Sequence, residues 1–219
     1  MSDDRVIMMS SQGYKDLVGP TNGKGIYWVT DINAELPIKI RQSGPGSERP
    51  FTLCELFKNT IESGGDRPAL YVERGGKYVC WTWKDYNRDV RLFSRACASL
   101  NVKRRSACCV MGWNSPEWAI AFLGAIMYEA VASGIYSTNA PDACLYQAVH
   151  SEAEVIVVET VEQLSRFTQN ISQLPRVKAF VVYGEDKLPP DYQGPRFFLW
   201  KDFLKLGDSV PDAVADKHM

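Results

Sequence analysis

The sequence predicts an α/β fold, a parallel-type sheet with helices on both faces plus a small β-hairpin. Three observations lead there. From residue 106 onward, β-rich runs alternate strictly with helical stretches, the signature of repeated crossover connections. Those runs are continuously apolar rather than alternating, as expected of strands covered on both faces. Before them, two further β-rich runs flank Arg74-Gly75-Gly76, which fits a tight hairpin because glycine adopts positive φ at little cost.

Residues 1–49 read as an irregular lead segment. They hold the breaker clusters Gly19-Pro20, Asn22-Gly23 and Ser43-Gly44-Pro45-Gly46, with short extended pieces expected at 26–29 and 36–40. From Pro50 the chain becomes punctuated, and 50–219 is taken as one α/β unit. Thr52 and Glu55 have the spacing of a capping box, so a helix should run over 53–63 and stop at Gly64-Gly65. The hairpin strands fall at 69–72 and 77–81. Thr82 then caps a helix over 83–100, with Tyr86, Val90, Phe93, Cys97 and Leu100 on one face and Lys84, Asp85, Arg88 and Arg95 on the other.

An apolar strand is expected at 106–111. After Gly112-Trp113-Asn114, Ser115 takes the N-cap position, Pro116 the first helical position, and Glu117 adds a first-turn acid. The helix over 116–129 is apolar almost all round and should be largely buried. A strand at 131–136, a polar loop Ser137-Thr138-Asn139 and a helix at 141–149 follow. Next come a strand at 155–159, a helix at 161–173 and a strand at 178–183; then a turn-rich stretch at 188–194, an extended piece at 197–200 and a short helix at 201–206.

Composition narrows the function. With 25 Lys plus Arg against 26 Asp plus Glu, the net charge is -1, without the positive excess that phosphate backbones attract, so nucleic acid is excluded as a partner. Apolar runs are too short to span a bilayer, and the first ten residues lack a signal-peptide core, which points to the cytoplasm. The six cysteines include no CxxC pair and read as small core residues. Cys108 and Cys109, adjacent in a strand, should face opposite sides of the sheet.

Catalytic signatures are missing. The chain has no GxGxxG, GxxxxGK[ST], GxSxG or HExxH motif. Its two histidines, His150 and His218, sit at a helix end and near the carboxyl terminus and read as structural. Glu117, Glu129, Glu152 and Glu159 lie on separate elements with nothing to pair them as acid and base. Trp81, Trp83, Trp113 and Trp118 read as core filler. In a doubly wound sheet, ligands bind at the carboxyl ends of strands, which singles out the loops 112–115 and 136–139. Spacing alone favours a plainer role there, with Ser115 and Asn139 ending neighbouring helices.

Several stretches nevertheless carry a resemblance. They are Pro50-Phe51-Thr52-Leu53, Gly65-Asp66-Arg67-Pro68-Ala69-Leu70, Gly112-Trp113-Asn114-Ser115-Pro116-Glu117-Trp118 and, most specifically, Gly134-Ile135-Tyr136-Ser137-Thr138-Asn139-Ala140-Pro141-Asp142-Ala143-Cys144. Together, in collinear order over 50–211, they resemble the amino-terminal part of long-chain fatty acyl-CoA synthetases. The nearest branch is the bubblegum branch of the adenylate-forming, AMP-binding superfamily. The resemblance implies a ligase of fatty acid metabolism: ATP, Mg²⁺ and a long-chain fatty acid give an acyl-adenylate and pyrophosphate, and CoA then takes the acyl group.

It also implies what is missing. The family grips phosphate with a T-S-G-T-T-G loop, which this sequence lacks, together with the later segments that bear the ribose-binding acid, the Mg²⁺-associated Glu and the catalytic Lys. The chain therefore resembles a piece truncated before that loop, 50–219 being an incomplete first subdomain whose partner is the missing carboxyl-terminal part. No catalytic, cofactor-binding or metal residue carries over, ATP, Mg²⁺ and CoA should bind poorly, and the isolated chain should be inactive. Tyr136, Thr138 and Asn139 are the residues the resemblance offers for lining the acyl or pantetheine side. Peripheral membrane association is open to the complete enzyme. The alternative is a non-catalytic binding or scaffold module on the same fold.

Overall fold

In the computed structural model, which describes residues 5–7, 38–40, 43–45 and 47–216, the alternation beginning at residue 106 forms one five-stranded parallel sheet. Its strands are β5 (Ala107–Met111), β6 (Val131–Ile135), β7 (Val155–Val158), β8 (Ala179–Val182) and β9 (Phe197–Leu199), in the spatial order β6-β5-β7-β8-β9. β5 pairs in register with β6 through Cys109↔Ser133 and with β7 through Cys109↔Ile156. The chain forms two compact units, Met1–Thr52 and Leu53–Met219. In the first, β1 (Arg5–Ile7) pairs antiparallel with β2 (Ile38–Ile40). The piece expected at 26–29 lies outside the described residues.

In the second unit, α1 (Leu53–Gly64) leads into the hairpin of β3 (Pro68–Arg74) and β4 (Lys77–Thr82). Gly75 and Gly76 have φ of 58° and 74°, positive at both turn positions, as a two-residue reversal matched to strand twist requires. α2 (Trp83–Ser99) starts at Thr82, whose Oγ1 accepts from the Asp85 amide while Asp85 accepts from the Thr82 amide, each at 3.1 Å. α3 (Pro116–Met127) starts at Ser115, whose Oγ accepts from the Trp118 amide. Then come α4 (Pro141–His150), α5 (Val161–Thr168), α6 (Trp200–Leu206) and α7 (Ala213–Asp216).

Helices cover both faces of the sheet, and the strands show how. Cys108, Val110, Val155, Val157, Ala179 and Val181 join a core built with Tyr86, Val90 and Phe93 of α2, Ile120 of α3 and Phe203 of α6. Their neighbours Cys109, Met111, Ile156, Val158, Phe180 and Val182 face Cys144 and Ala148 of α4 and Leu164 and Phe167 of α5. Consecutive residues thus enter opposite cores, as the pleat dictates, and Cys108 and Cys109 part as expected. α2 and α3 approach closely at Gly124, where a Cβ would stand 2.7 Å from Phe93 Cδ1.

Three expectations change. The helix expected at 161–173 ends at Thr168, because Thr168 Oγ1 bonds back to the Leu164 and Ser165 carbonyls and Asn170, at φ -128° and ψ 42°, leaves helical geometry. A separate 3₁₀ turn, Ile171–Gln173, follows. Asn139 does not cap α4, whose N-cap is Ala140 with no side-chain bond. Trp113 is not core filler: it lies in a loop and is 67% exposed. Among the described residues, no helix is long and apolar enough to cross a membrane.

Candidate functional site

The strand order places the reversal of winding between β5 and β7, since β6 lies outside β5 and the chain then returns across it. Crevices for ligands open at such a switch point, outside the carboxyl ends of the strands. Here those ends are Gly112 to Ser115 after β5 and Glu159 with Thr160 after β7, with Tyr183 following β8.

The two loops are tied together. The Trp113 amide donates to Glu159 Oε2 at 2.9 Å, and Tyr183 Oη donates to the Trp113 carbonyl at 3.3 Å. Glu159 is itself held by its backbone, its amide donating to Gln163 Oε1 and its carbonyl accepting from the Gly184 amide. Gly112 has φ 151°, and a Cβ there would lie 1.9 Å from Tyr183 Oη, so only glycine lets the chain turn beneath the tyrosine. Burial pushes the Tyr183 phenol well up, the bond to Ser115 opposes this, and the nearby Glu159 and Glu117 add to it. Tyr183 therefore works as a neutral donor rather than a base.

Glu117, in the first turn of α3, is 2% exposed. Arg74, from the end of β3, donates to its Oε1 at 2.5 Å and lies 5.7 Å from the Trp81 ring centroid. Glu117 Oε2 is buried without a partner among the described residues. Helix dipole and guanidinium together keep this carboxylate in place. The pair joins the hairpin to α3.

The second loop, Tyr136 to Asn139, follows β6 at the sheet edge. Tyr136 is 79% exposed, Thr138 is exposed and Asn139 half-buried. Asn139 contributes through its backbone: Arg166 Nη1, from α5, donates to the Ser137 and Asn139 carbonyls at 2.7 and 2.9 Å. Cys144 Sγ donates to the Asn139 carbonyl as well. Burial raises the Cys144 thiol, with Arg166 opposing the shift, so it stays a protonated packing group. Glu159, Tyr183 and Arg166 were not picked out by motif, and only the strand order brings them to the loops that were.

Among the described residues, the arrangement pairs no nucleophile with a base. Glu159 is engaged in positioning Trp113, and Glu117 is buried against Arg74. His150 stacks on Tyr146 of the same helix, with ring centroids 5.5 Å apart. Among the described residues, no group of three or more His, Cys, Asp or Glu side chains could hold a metal ion. Nor do these residues suit a nucleoside triphosphate, because the loops carry the Glu159 carboxylate, and the Arg74 guanidinium at the start of α3 is already paired with the buried Glu117.

Fold and crevice together define a doubly wound α/β domain organised around a switch-point site. Comparison with known proteins narrows this further: residues 57–200 match the AMP-binding enzyme family, and the chain belongs to that family. It is similar to the long-chain-fatty-acid–CoA ligase ACSBG2 of Gallus gallus, at 33% identity over 97% of this chain and 28% of that protein. The Xenopus laevis ligase of the same name is 34% identical over 87% of this chain and 25% of its own length. The chain thus spans about a quarter of the relatives it matches, and the resemblance to the bubblegum branch holds. Among solved structures, the anthranilate CoA ligase AuaEII in complex with anthranoyl-AMP superposes with a TM-score of 0.61 at 18% identity, over 74% of this chain and 29% of that one. That likeness is one of fold.

Proposed function

We propose that this chain forms the amino-terminal portion of an ATP-dependent long-chain fatty acid–CoA ligase, with 50–219 as an incomplete first subdomain and 1–49 as its lead. The observation that supports it most is the collinear likeness to long-chain ligases over 97% of this chain but only 28% of the relative. In the complete enzyme, a long-chain fatty acid, ATP, Mg²⁺ and CoA would meet beyond the carboxyl edge described above, in the cytoplasm or at a membrane surface. Tyr136, Thr138 and Asn139 would line the acyl or pantetheine side.

Alone, the chain does not make acyl-adenylate. Charge developing on the α-phosphate needs preorganised donors or a metal, and the carboxyl-edge loops bring the Glu159 carboxylate there instead. Incubation of the 219-residue chain with ATP, Mg²⁺ and palmitate should release no pyrophosphate above a buffer control. Palmitate-dependent pyrophosphate release would refute the reading of the isolated chain as inactive.

A further inference from the structure

One face of α2 packs into the sheet core. Its opposite face carries Lys84, Arg88, Arg91 and Arg95, spaced four, three and four residues apart and therefore stacked along one side of the helix. With Asn87 and Asp212 these four cations line a cleft of about 370 Å³ that shares no residue with the carboxyl-edge crevice. The volume falls in the range of small-molecule sites, roughly 300–1,000 Å³.

The inner pair, Arg91 and Arg95, are 12% and 15% exposed and close on Asp212. Arg91 Nη2 lies 2.8 Å from Oδ2, Arg91 Nε donates to Oδ1 at 3.1 Å, and Arg95 Nη1 donates to the same oxygen at 3.1 Å. The Arg91 hydrogen bond, with the charges of both arginines, holds the Asp212 carboxyl below its ordinary value. Arg95 Nε is buried with no hydrogen-bond partner among the described residues, as is Asn87 Oδ1, which leaves a donor and an acceptor over.

The outer pair is exposed. Lys84 Nζ sits 2.8 and 3.0 Å from the Asp66 carboxylate, and Arg88 pairs with Asp85 and Asp89. The exposed pairs Lys84–Asp66 and Arg88–Asp85 contribute little, so trading them for a multiply charged ligand costs little.

We propose that the cleft binds a phosphomonoester dianion between the Arg91–Arg95 floor and the Lys84–Arg88 mouth, with Asp212 occupying the anion position until the ligand displaces it. A dianion has what the site lacks. Its oxygens outnumber those of a carboxylate and suit guanidinium forks, and one of them can accept from Arg95 Nε. The phosphate could be free in solution or borne on a lipid headgroup.

Two probes separate these sources: inorganic phosphate titrated into the 219-residue chain at low salt, and phosphatidic acid in phosphatidylcholine vesicles against phosphatidylcholine alone. Saturable binding of either probe supports the site, and which probe binds identifies the source. The exposed double variant Lys84→Gln/Arg88→Gln should keep its circular dichroism and bind about fivefold more weakly. Arg95→Gln should lose about tenfold or more, the worth of a charge-assisted bond. Asp212→Ala should bind more tightly, and unchanged affinity in that variant would overturn the displacement. Failure of both probes, or binding unaltered in both the double variant and Arg95→Gln, overturns the site.

Discussion

Replacing Gly112 by alanine probes the join between the β5 and β7 loops most sharply. The new Cβ would stand 1.9 Å from Tyr183 Oη, 2.9 Å from Cζ and 3.0 Å from Glu159 Cβ. The backbone at φ 151° is one that residues with a side chain rarely adopt, costing about 1–3 kcal/mol. Tyr183 must also swing aside and lose its bond to the Trp113 carbonyl, worth about 1 kcal/mol. We therefore expect Gly112→Ala to destabilise the chain by about 3 kcal/mol in urea unfolding, and to lower Tm by roughly 6–12 °C for a protein of this size. Adding Tyr183→Phe removes the closest clashing atom, so the double variant should recover about 1 kcal/mol of that loss. A Gly112→Ala protein within about 0.5 kcal/mol of the parent, or a double variant whose losses simply add, would refute the steric reasoning.

Glu154 gives a pH dependence. Its burial raises the carboxyl, but the Lys178 ammonium at 2.8 Å, the Lys103 amide and Arg176 outweigh that and hold it low. A depressed carboxyl contributes stability that is complete above the unfolded value of about 4.3 and is lost as pH falls through the folded one. Asp85 and Asp212, also held low, act in the same direction, so urea midpoints should fall on acidification below about pH 4. Glu154→Gln should cost about 3 kcal/mol at neutral pH and flatten that acid limb. Arg166→Ala removes two bonds to loop carbonyls and should cost about 2 kcal/mol, with faster amide exchange confined to the 136–140 region; unchanged exchange there would deny Arg166 its positioning role. Among the six cysteines, Cys80 alone is exposed, whereas Cys97, Cys108, Cys109 and Cys144 are buried, with thiols raised chiefly by burial. Brief iodoacetamide treatment should alkylate Cys80 first, and early modification of Cys108 or Cys109 would contradict the packed sheet.

Much of the fold is legible in the sequence because its signals are local. Thr82 and Ser115 announce helix starts through bonds spanning three residues, Gly75-Gly76 marks its turn, and the apolar runs mark strands buried on both faces. What escapes is set by tertiary neighbours. Glu159 and Tyr183 join the Gly112 loop only because β7 and β8 lie beside β5, and a single chain does not print its strand order. Arg166 reaches the Asn139 loop across α5, and Asp212 reaches Arg91 from 121 positions away. Trp113 shows a different gap: an aromatic in a loop has no periodicity from which to infer burial. The apolar spacing over 161–173 continues past Thr168, whereas the helix ends there and the backbone turns at Asn170.

The most direct test of the proposed ligase role is to capture the native product from its source cells with an antibody to 50–211. Its intact mass and its palmitate-dependent formation of acyl-CoA are then measured with ATP, Mg²⁺ and CoA supplied. Membership of a long-chain ligase predicts a captured protein several times larger than 24.6 kDa that forms palmitoyl-CoA. A captured protein of 24.6 kDa, or a larger one without acyl-CoA formation, would contradict it and point to a binding module instead.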